Sequence, residues 1–166
     1  MEYIFKTKIT QGICVMKSSK IGLLLGALLL SAQVFADHSA VGLWRNIDDQ
    51  TGFSKGLIRI YQNDDGTYSG KVADITPHPG YTPKEICDKC PGADRNKPII
   101  GMTILRNFKI SPTNPLEYAG GMILDPTSGK LYKSKLRLNS TGKRLSLRGY
   151  VGVELIGRSQ TWIRVE

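Results

Sequence analysis

The residues with the most distinctive chemistry are Cys87 and Cys90, which are separated by two residues. In an oxidising compartment, such a pair most simply forms a disulfide, and its small loop would add roughly 2 kcal/mol of stability before strain is counted. A redox-active pair at this spacing would need a βαβ context, which the sequence lacks. A zinc site would need further ligands, and His78 is the only histidine nearby. We expect a structural disulfide, with a redox pair and a metal site as alternatives.

The other reactive side chains do not form a recognisable catalytic set. His38 directly follows the expected export signal, and His78 lies in a proline-rich loop. His-Glu-x-x-His does not occur in the chain. Residues 52–56 match Gly-x-Ser-x-Gly in letters, but that motif needs a turn from a strand into a helix, and the sequence has no long segment of helical periodicity. The adjacent carboxylates lie in turn segments, at Asp48, Asp49, Asp64 and Asp65. We therefore expect neither an enzymatic activity nor a cofactor.

The first 36 residues have the pattern of an export signal that is removed. Lysines precede an apolar run of ten residues, 21–30, which is shorter than the roughly 20 residues needed to span a bilayer. Small residues at Val34 and Ala36 match a signal peptidase site, so we expect cleavage after Ala36. Met16 alone could open a conventional signal and be the true start. The mature chain, 37–166, would then be periplasmic or secreted by a bacterium.

Removal of the signal lowers the formal charge from +9 to +6, because the segment carries four lysines and one glutamate. A moderately basic surface could contact anionic lipid head groups or polyanionic envelope sugars. The charges are scattered, however, and Lys133, Lys135 and Arg137 alternate with apolar residues as on the solvated face of a strand. Scattered charge and export both argue against a nucleic-acid partner. The length of the mature chain fits one domain.

The mature sequence consists of short β-rich runs separated by turn residues, without a long segment of helical periodicity. The turn 63–66, for example, joins two runs into a hairpin. Sequential hairpins close naturally into a barrel, which removes exposed strand edges. We predict an all-β fold, a single eight-stranded antiparallel up-and-down barrel. Its predicted strands are 42–45, 57–62, 67–75, 100–110, 117–124, 130–138, 144–151 and 157–165.

Alternation along these strands predicts which side chains face the interior. A barrel of this size either fills with side chains or holds one small ligand, and the predicted interior is mainly aliphatic. A ligand would therefore be largely apolar. The inward set comprises Ile58 and Ile60, then Tyr132, Ser134, Leu136 and Leu138, and finally Leu145, Leu147 and Val151.

A polar candidate site lies on the last strand, where Arg158 and Gln160 share a face with Trp162 and Arg164. If this face points inward, Arg158 and Gln160 could anchor a carboxylate-bearing ligand, as arginines do in fatty-acid-binding barrels. If it points outward, they form a charged surface stripe or a structural network. The candidate ligand-binding residues are Ile58, Ile60, Tyr132, Ser134, Leu136, Leu145, Leu147, Arg158 and Gln160.

Residues 76–98 interrupt the series of hairpins with five prolines and the cysteine pair. The segment is too long for a simple hairpin turn, and loops of this length in compact domains are often lids or binding loops. The alternative is a decorated surface loop that the disulfide stabilises.

Two sets of residues resemble known families. Gly42-Leu43-Trp44 resembles the Gly-x-Trp signature of lipocalin barrels, and Arg164 lies where those barrels stack an arginine on the tryptophan to plug the closed end. Segments 125–132, 148–152 and 157–165, with the Cys87-x-x-Cys90 pair, resemble a bacterial exported family known as domain of unknown function 2147. The second resemblance covers nearly all of the mature chain. It implies a lipocalin-like barrel and an envelope or secreted location, and no established activity.

Three functions follow as hypotheses. The first is a binding protein that carries or senses a small apolar or amphipathic molecule, such as a fatty acid, inside the barrel. The second is an envelope interaction module, or a barrel-type protein inhibitor, that acts through its loops and has a filled interior. The third is an enzyme, which the lack of a recognisable catalytic set disfavours.

Overall fold

A computed structural model describes residues 38–166, so the expected export signal and its cleavage site lie outside the described residues. Antiparallel strands follow one another in chain order around a closed barrel, and β8 pairs with β1 to complete it. The predicted eight-stranded barrel is confirmed. Within 38–166, no helix is long and apolar enough to cross a bilayer. The strands are β1 (Gly42–Ile47), β2 (Ser54–Gln62), β3 (Tyr68–Ile75), β4 (Thr103–Ser111), β5 (Asn114–Asp125), β6 (Lys130–Leu138), β7 (Arg144–Tyr150) and β8 (Gly157–Arg164).

Most predicted strands differ from the structure by one to three residues at an end, for example at the start of the fourth strand and at the end of the seventh. The fourth strand begins at Thr103, because the chain turns at Gly101, whose φ is +86°, and the Gly101 amide donates to the Val72 carbonyl. The seventh strand ends at Tyr150, so Val151 lies in the following loop with 69% of its surface exposed. The prediction that Val151 faces inward is therefore wrong. Alternation applies only while the chain stays in the sheet, and Val151 follows the last paired residue.

The faces predicted for β2, β6 and most of β7 agree with the burial of their side chains. Ile58 and Ile60 are buried, as are the predicted inward residues of β7, Leu145 and Leu147. On β6 the chain alternates between buried Ser134, Leu136 and Leu138 and the more exposed Leu131, Lys133 and Arg137. Period-two alternation thus fixed the register of these strands relative to the core.

Because successive strands are antiparallel, alternate connections lie at the same end of the barrel. We call the end with turns 63–67, 112–113 and 139–143 the closed end, and the end with loops 48–53, 76–102, 126–129 and 151–156 the open end. The chain terminus at Glu166 lies at the closed end, where its carbonyl accepts a hydrogen bond from Leu43 N.

The closed end is sealed by a tryptophan and an arginine. The guanidinium of Arg164 lies 4.4 Å from the centroid of the fully buried Trp44 ring, a cation–π distance. Arg164 donates to the carbonyls of Gly142 (2.6 Å) and Val41 (2.8 Å), and Trp44 Nε1 donates to Ala40 O (2.8 Å). This is the geometry that the lipocalin resemblance implies for the two residues.

Large rings fill the interior next to this seal. Phe108 and Tyr118 are fully buried, and Tyr118 makes an edge-to-face contact with Tyr68 at 4.8 Å between centroids. The Tyr118 hydroxyl accepts a hydrogen bond from the Ala40 amide (2.8 Å). Burial raises the pKa of Tyr68 above its ordinary value. The closed half of the barrel is therefore a packed core, in which the polar atoms of Trp44 and Tyr118 have hydrogen-bond partners.

Candidate functional site

Two adjoining cavities lie at the open end. The loop-side cavity, about 320 Å³, lies beneath the 76–102 loop, and its apolar wall is formed by Ile58, Val72, Ile75, Ile104, Ile123 and Trp162. The lip cavity, about 400 Å³, lies beside the 151–156 loop, and its walls include Tyr132, Leu147, Gly149 and Ile156. Ile123, Asp125 and Gln160 line both cavities. Pockets of a few hundred Å³ with mostly apolar walls are typical of sites for one small ligand.

The structure divides the predicted ligand-binding residues by depth. Five of them line a cavity: Ile58 and Gln160 on the loop side, and Tyr132, Leu147, Arg158 and again Gln160 at the lip. The other four are buried among the side chains of the barrel and line neither of these two cavities: Ile60, Ser134, Leu136 and Leu145. Alternation identifies the inward face, but it does not tell how far along the barrel axis a side chain lies.

Sequence reasoning missed several wall residues. Val72 directly follows the exposed Lys71 on β3 and points to the opposite, inward face, so period-two alternation could have identified it. Asn46 lies two residues after the buried Trp44 on β1, but the first strand was predicted to end at residue 45, so alternation was not extended to it. Tyr81 comes from the long loop, and only the folded chain brings it to the cavity.

A row of small residues separates the filled half from the lip cavity. Gly121 and Gly149 lie on either side of Ser134, as its partners on β5 and β7. A Cβ atom at Gly121 would lie 2.4 Å from the Phe108 ring, whereas a Cβ at Gly149 would meet its nearest atoms, in Ile123 and Tyr132, at 3.7 Å. Phe108 thus occupies the space that one glycine leaves, and the space beside the other glycine belongs to the lip cavity.

The arginine at the lip is already engaged. Arg158 donates two hydrogen bonds to the Asp49 carboxylate, at 2.9 and 2.6 Å. This pairing lowers the pKa of Asp49 and raises the pKa of Arg158. Arg158 therefore lines the cavity while its charge is directed to the β1–β2 loop, and its role as an anchor for a carboxylate stays a prediction.

The β1–β2 loop itself is ordered by Asp48. Its Oδ1 accepts hydrogen bonds from the amides of Gln50 (3.0 Å) and Thr51 (2.8 Å), while Oδ2 lies 2.5 Å from Lys55 Nζ. The Asp48 side chain is only 6% exposed. The Lys55 ammonium holds the pKa of Asp48 well below its usual range.

The 76–102 loop is anchored to the barrel through its disulfide-bonded segment. Cys87 and Cys90 form a disulfide, both residues are buried, and Cys87 Sγ lies 3.1 Å from the Pro126 carbonyl oxygen. A Cβ at Gly129 would lie 2.0 Å from the Lys89 carbonyl, so the β5–β6 turn and the cysteine segment touch through their backbones. The bridge and its burial favour the structural disulfide among the three alternatives.

This loop also contributes to the cavity. Tyr81, Lys84 and Ile99 line the loop-side cavity. Tyr81 stacks on His78, which in turn stacks on Phe53 of the β1–β2 loop, with ring centroids 5.0 and 4.7 Å apart. The long loop therefore forms part of the wall, as a binding loop does.

The family of the chain follows from a comparison of its sequence. Residues 42–164 match the family described as an uncharacterized protein conserved in bacteria, DUF2147. The chain belongs to this family. No curated protein matches the sequence.

Among solved structures, the DUF2147 barrel is similar to protein HP1028 from the human pathogen Helicobacter pylori, which is described as belonging to the lipocalin family. The TM-score is 0.63 and the sequence identity 19%, over 77% of this chain and 84% of that chain. At this identity the similarity establishes the fold, a lipocalin-like barrel.

The β7–β8 loop of the DUF2147 barrel presents apolar side chains to solvent. Val153, Leu155 and Ile156 are each more than half exposed, and Leu155 reaches 88%. The loop backbone is held by Arg148, which donates to the carbonyls of Glu154 (3.0 Å) and Leu155 (3.2 Å). Exposed apolar residues in a braced loop are typical of a contact surface.

Two further features of residues 38–166 concern metal binding and the closed end. Within 38–166, no cluster of three or more His, Cys, Asp or Glu side chains could hold a metal ion. An open surface depression of about 430 Å³ at the closed end is lined by His38, Ser39, Tyr68, Ile110, Pro115, Leu116 and Tyr118. It borders the first described residue of the chain and therefore supports no assignment.

Proposed function

We propose that this protein binds one small apolar or amphipathic molecule, such as a lipid fragment, in the open half of its barrel, and that it carries or senses this molecule without transforming it. The observation that carries the proposal is the contrast inside the barrel. The closed half is filled by Phe108, Tyr118 and Trp44, while the open half leaves apolar-walled cavities of about 320 and 400 Å³. The lipocalin-like fold is consistent with small-molecule binding in general.

The two tryptophans of the chain provide the test, because Trp162 lines one of the two cavities and Trp44 lines neither. Trp162 lines the loop-side cavity, and Trp44 is buried at the closed end. A panel of lipid fragments titrated into the mature protein should change the tryptophan fluorescence. The change should persist in Trp44→Phe and disappear in Trp162→Phe. A response carried by Trp44 alone, or no response to any ligand of the panel, would contradict the proposal.

Native mass spectrometry of protein purified from its own host adds the identity of the ligand. A small mass that dissociates on denaturation should accompany the folded protein, and its composition names the ligand class. The same preparation tests the proposed periplasmic or secreted location. We expect the mature N-terminus at Asp37 and recovery outside the cytoplasm, whereas intact N-terminal residues in a cytoplasmic fraction would contradict export.

A second candidate function is an interaction module that works through the 151–156 loop. The exposed Val153, Leu155 and Ile156 favour it, because apolar side chains on a braced loop bury readily against a partner. A photo-crosslinking residue at Leu155 should capture one defined envelope partner. The same probe at Leu131, an exposed leucine on β6, is the control. Equal, diffuse labelling from both positions would dismiss this function.

A further inference from the structure

The apolar side chains that the barrel exposes to solvent are unevenly distributed. Within residues 38–166, the exposed large apolar side chains lie in the open half, apart from Val41, Ile110 and Val165 at the closed end. The most exposed of them belong to the 151–156 loop, whose sequence is Val-Gly-Val-Glu-Leu-Ile. Each of its four apolar side chains is more than half exposed, which is typical of a contact surface.

The loop is continuous with the lip cavity. Val151 and Ile156 line that cavity while more than half of each residue is exposed, so they form part of its rim. Val153 and Leu155, which lie between them in the chain, line neither cavity and are exposed to solvent. A surface that covers the loop would therefore adjoin the cavity. A lipid surface fits this position, because an apolar or amphipathic ligand dissolves in it.

The side chains of the loop favour lipid over a protein partner. They are aliphatic and include no aromatic ring. The residues that dominate protein interfaces are rich in tryptophan, tyrosine and arginine and poor in leucine and valine. Aliphatic side chains enter the apolar part of a bilayer without a shaped pocket, because the hydrophobic effect is non-directional.

The backbone of the loop is suited to an apolar environment, because three consecutive carbonyls already accept hydrogen bonds. Val153 O accepts from Ile156 N (3.2 Å), and Arg148 donates to Glu154 O (3.0 Å) and to Leu155 O (3.2 Å). A carbonyl that leaves water without a donor is costly. These bonds lower the cost of moving the loop into a lipid surface.

The charges beside the loop match acidic head groups. The one acidic side chain of the loop, Glu154, lies 2.5 Å from Lys135 on β6. On the same strand, the exposed Lys130 and Lys133 have no carboxylate within 4.0 Å in the described part of the chain. Asp125, the cross-strand partner of Lys130, directs its carboxylate to amide and hydroxyl groups of its own turn. The charge that β6 presents beside the loop is therefore positive, which favours an anionic leaflet.

We propose that the 151–156 loop docks on an anionic lipid surface, with Val153 and Leu155 inserted below the head groups and with Lys130 and Lys133 against the phosphates. The rim of the lip cavity then faces the membrane. The inference rests on the proposed function, because it names the surface from which the small ligand enters the cavity.

Co-sedimentation of the mature protein with vesicles tests the docking. Vesicles of phosphatidylglycerol and phosphatidylcholine in equal amounts are compared with vesicles of phosphatidylcholine alone. The protein should bind the acidic vesicles about tenfold more tightly, because lysines close to an acidic leaflet contribute this difference. Absence of binding to the acidic vesicles, or equal binding to both kinds, would overturn the inference.

Paired substitutions locate the apolar part of the surface. Val153→Ser with Leu155→Ser should weaken binding to the acidic vesicles at least about tenfold, because the side chains that insert are lost. The matched control, Ile110→Ser with Val165→Ser, removes two exposed apolar side chains at the closed end and should leave the binding unchanged. Equal weakening by the two pairs would contradict docking through the loop.

A second pair of double variants tests the charge. Lys130→Gln with Lys133→Gln should weaken binding to the acidic vesicles about tenfold. Lys109→Gln with Lys143→Gln removes the same net charge from exposed positions at the closed end and should have a smaller effect. An equal or larger effect of the closed-end pair would overturn the inference.

Ligand titration without vesicles separates this inference from the proposed function. The variant Val153→Ser with Leu155→Ser should keep the Trp162 fluorescence response to lipid fragments, because neither residue lines a cavity. A ligand response without vesicle binding would overturn the inference and leave the proposed function intact. Capture of one protein by the photo-crosslinker at Leu155, again without vesicle binding, would overturn it in favour of the interaction module. Absence of any ligand response would overturn the proposed function and, with it, ligand entry from the docked surface.

Discussion

The closed and open ends of this barrel are built from the same strands, yet their inward positions are used differently. At the closed end, aromatic rings occupy the interior and Arg164 covers Trp44. At the open end, aliphatic side chains and Gly149 leave cavities, and loops rather than strands complete the wall. The difference teaches that the sheet fixes which side chains face in, whereas side-chain volume at each level decides whether the barrel is solid or hollow.

The largest expected effect is the loss of stability when the closed end is disrupted. Trp44→Ala removes a fully buried indole, its hydrogen bond to Ala40 O and its stacking with Arg164. We expect a loss of about 3–5 kcal/mol in the free energy of unfolding, measured by urea denaturation. A loss below about 1 kcal/mol would mean that the closed end does not hold the barrel together.

The next effect concerns the docking of the long loop at the open end. Gly129→Ala combines a φ of +71° with a Cβ that would lie 2.0 Å from Lys89 O, whereas Gly66→Ala has a φ of +80° and nothing within 4 Å. Both variants carry backbone strain, so their difference isolates the clash. We expect Gly129→Ala to be less stable than Gly66→Ala by about 1–3 kcal/mol. Faster amide hydrogen exchange at Cys87 and Ile99 in Gly129→Ala should accompany this loss, and equal behaviour of the two variants would contradict loop docking.

A smaller effect depends on pH and on Asp48. Its pKa is lower in the folded than in the unfolded state, so its contribution to stability is present above about pH 4 and is lost as the pH falls towards the folded pKa. Because Lys55 is partly exposed, we expect Asp48→Asn to cost about 1–2 kcal/mol at pH 7. In urea titrations, the difference from the natural protein should shrink between pH 4 and about pH 2. A difference that stays constant over this range would exclude the ion pair as its source.

The sequence was sufficient to predict the barrel and, on several strands, the side chains that face its interior. Alternation along β6 predicted buried Leu136 and exposed Lys133, and the turn 63–66 marked a hairpin, because both signals are local. Val151 was placed wrongly because alternation does not show where a strand leaves the sheet.

The candidate site was less accessible from the sequence, because its features arise from contacts between distant residues. Arg158 is engaged by Asp49, which lies 109 residues earlier in the chain. The wall positions of Asn46 and Tyr81 become evident only when β1 and the long loop are brought to the same cavity. Leu136 and Leu145 share the inward face with the cavity wall but lie deeper, a distinction that period-two alternation does not carry.

The most direct test of a barrel that is filled at one end and hollow at the other uses the two glycines beside Ser134. Gly121→Ala and Gly149→Ala make the same substitution on the two strands that flank β6, and the free energy of unfolding of each is measured by urea denaturation. We expect Gly121→Ala to lose about 1–3 kcal/mol because its Cβ would clash with Phe108. Gly149→Ala should be neutral or gain about 0.5–1 kcal/mol, because its Cβ would make only ordinary van der Waals contacts, at 3.7 Å, with Ile123 and Tyr132. Equal losses in the two variants would show that the open half is packed like the closed half and would contradict the account.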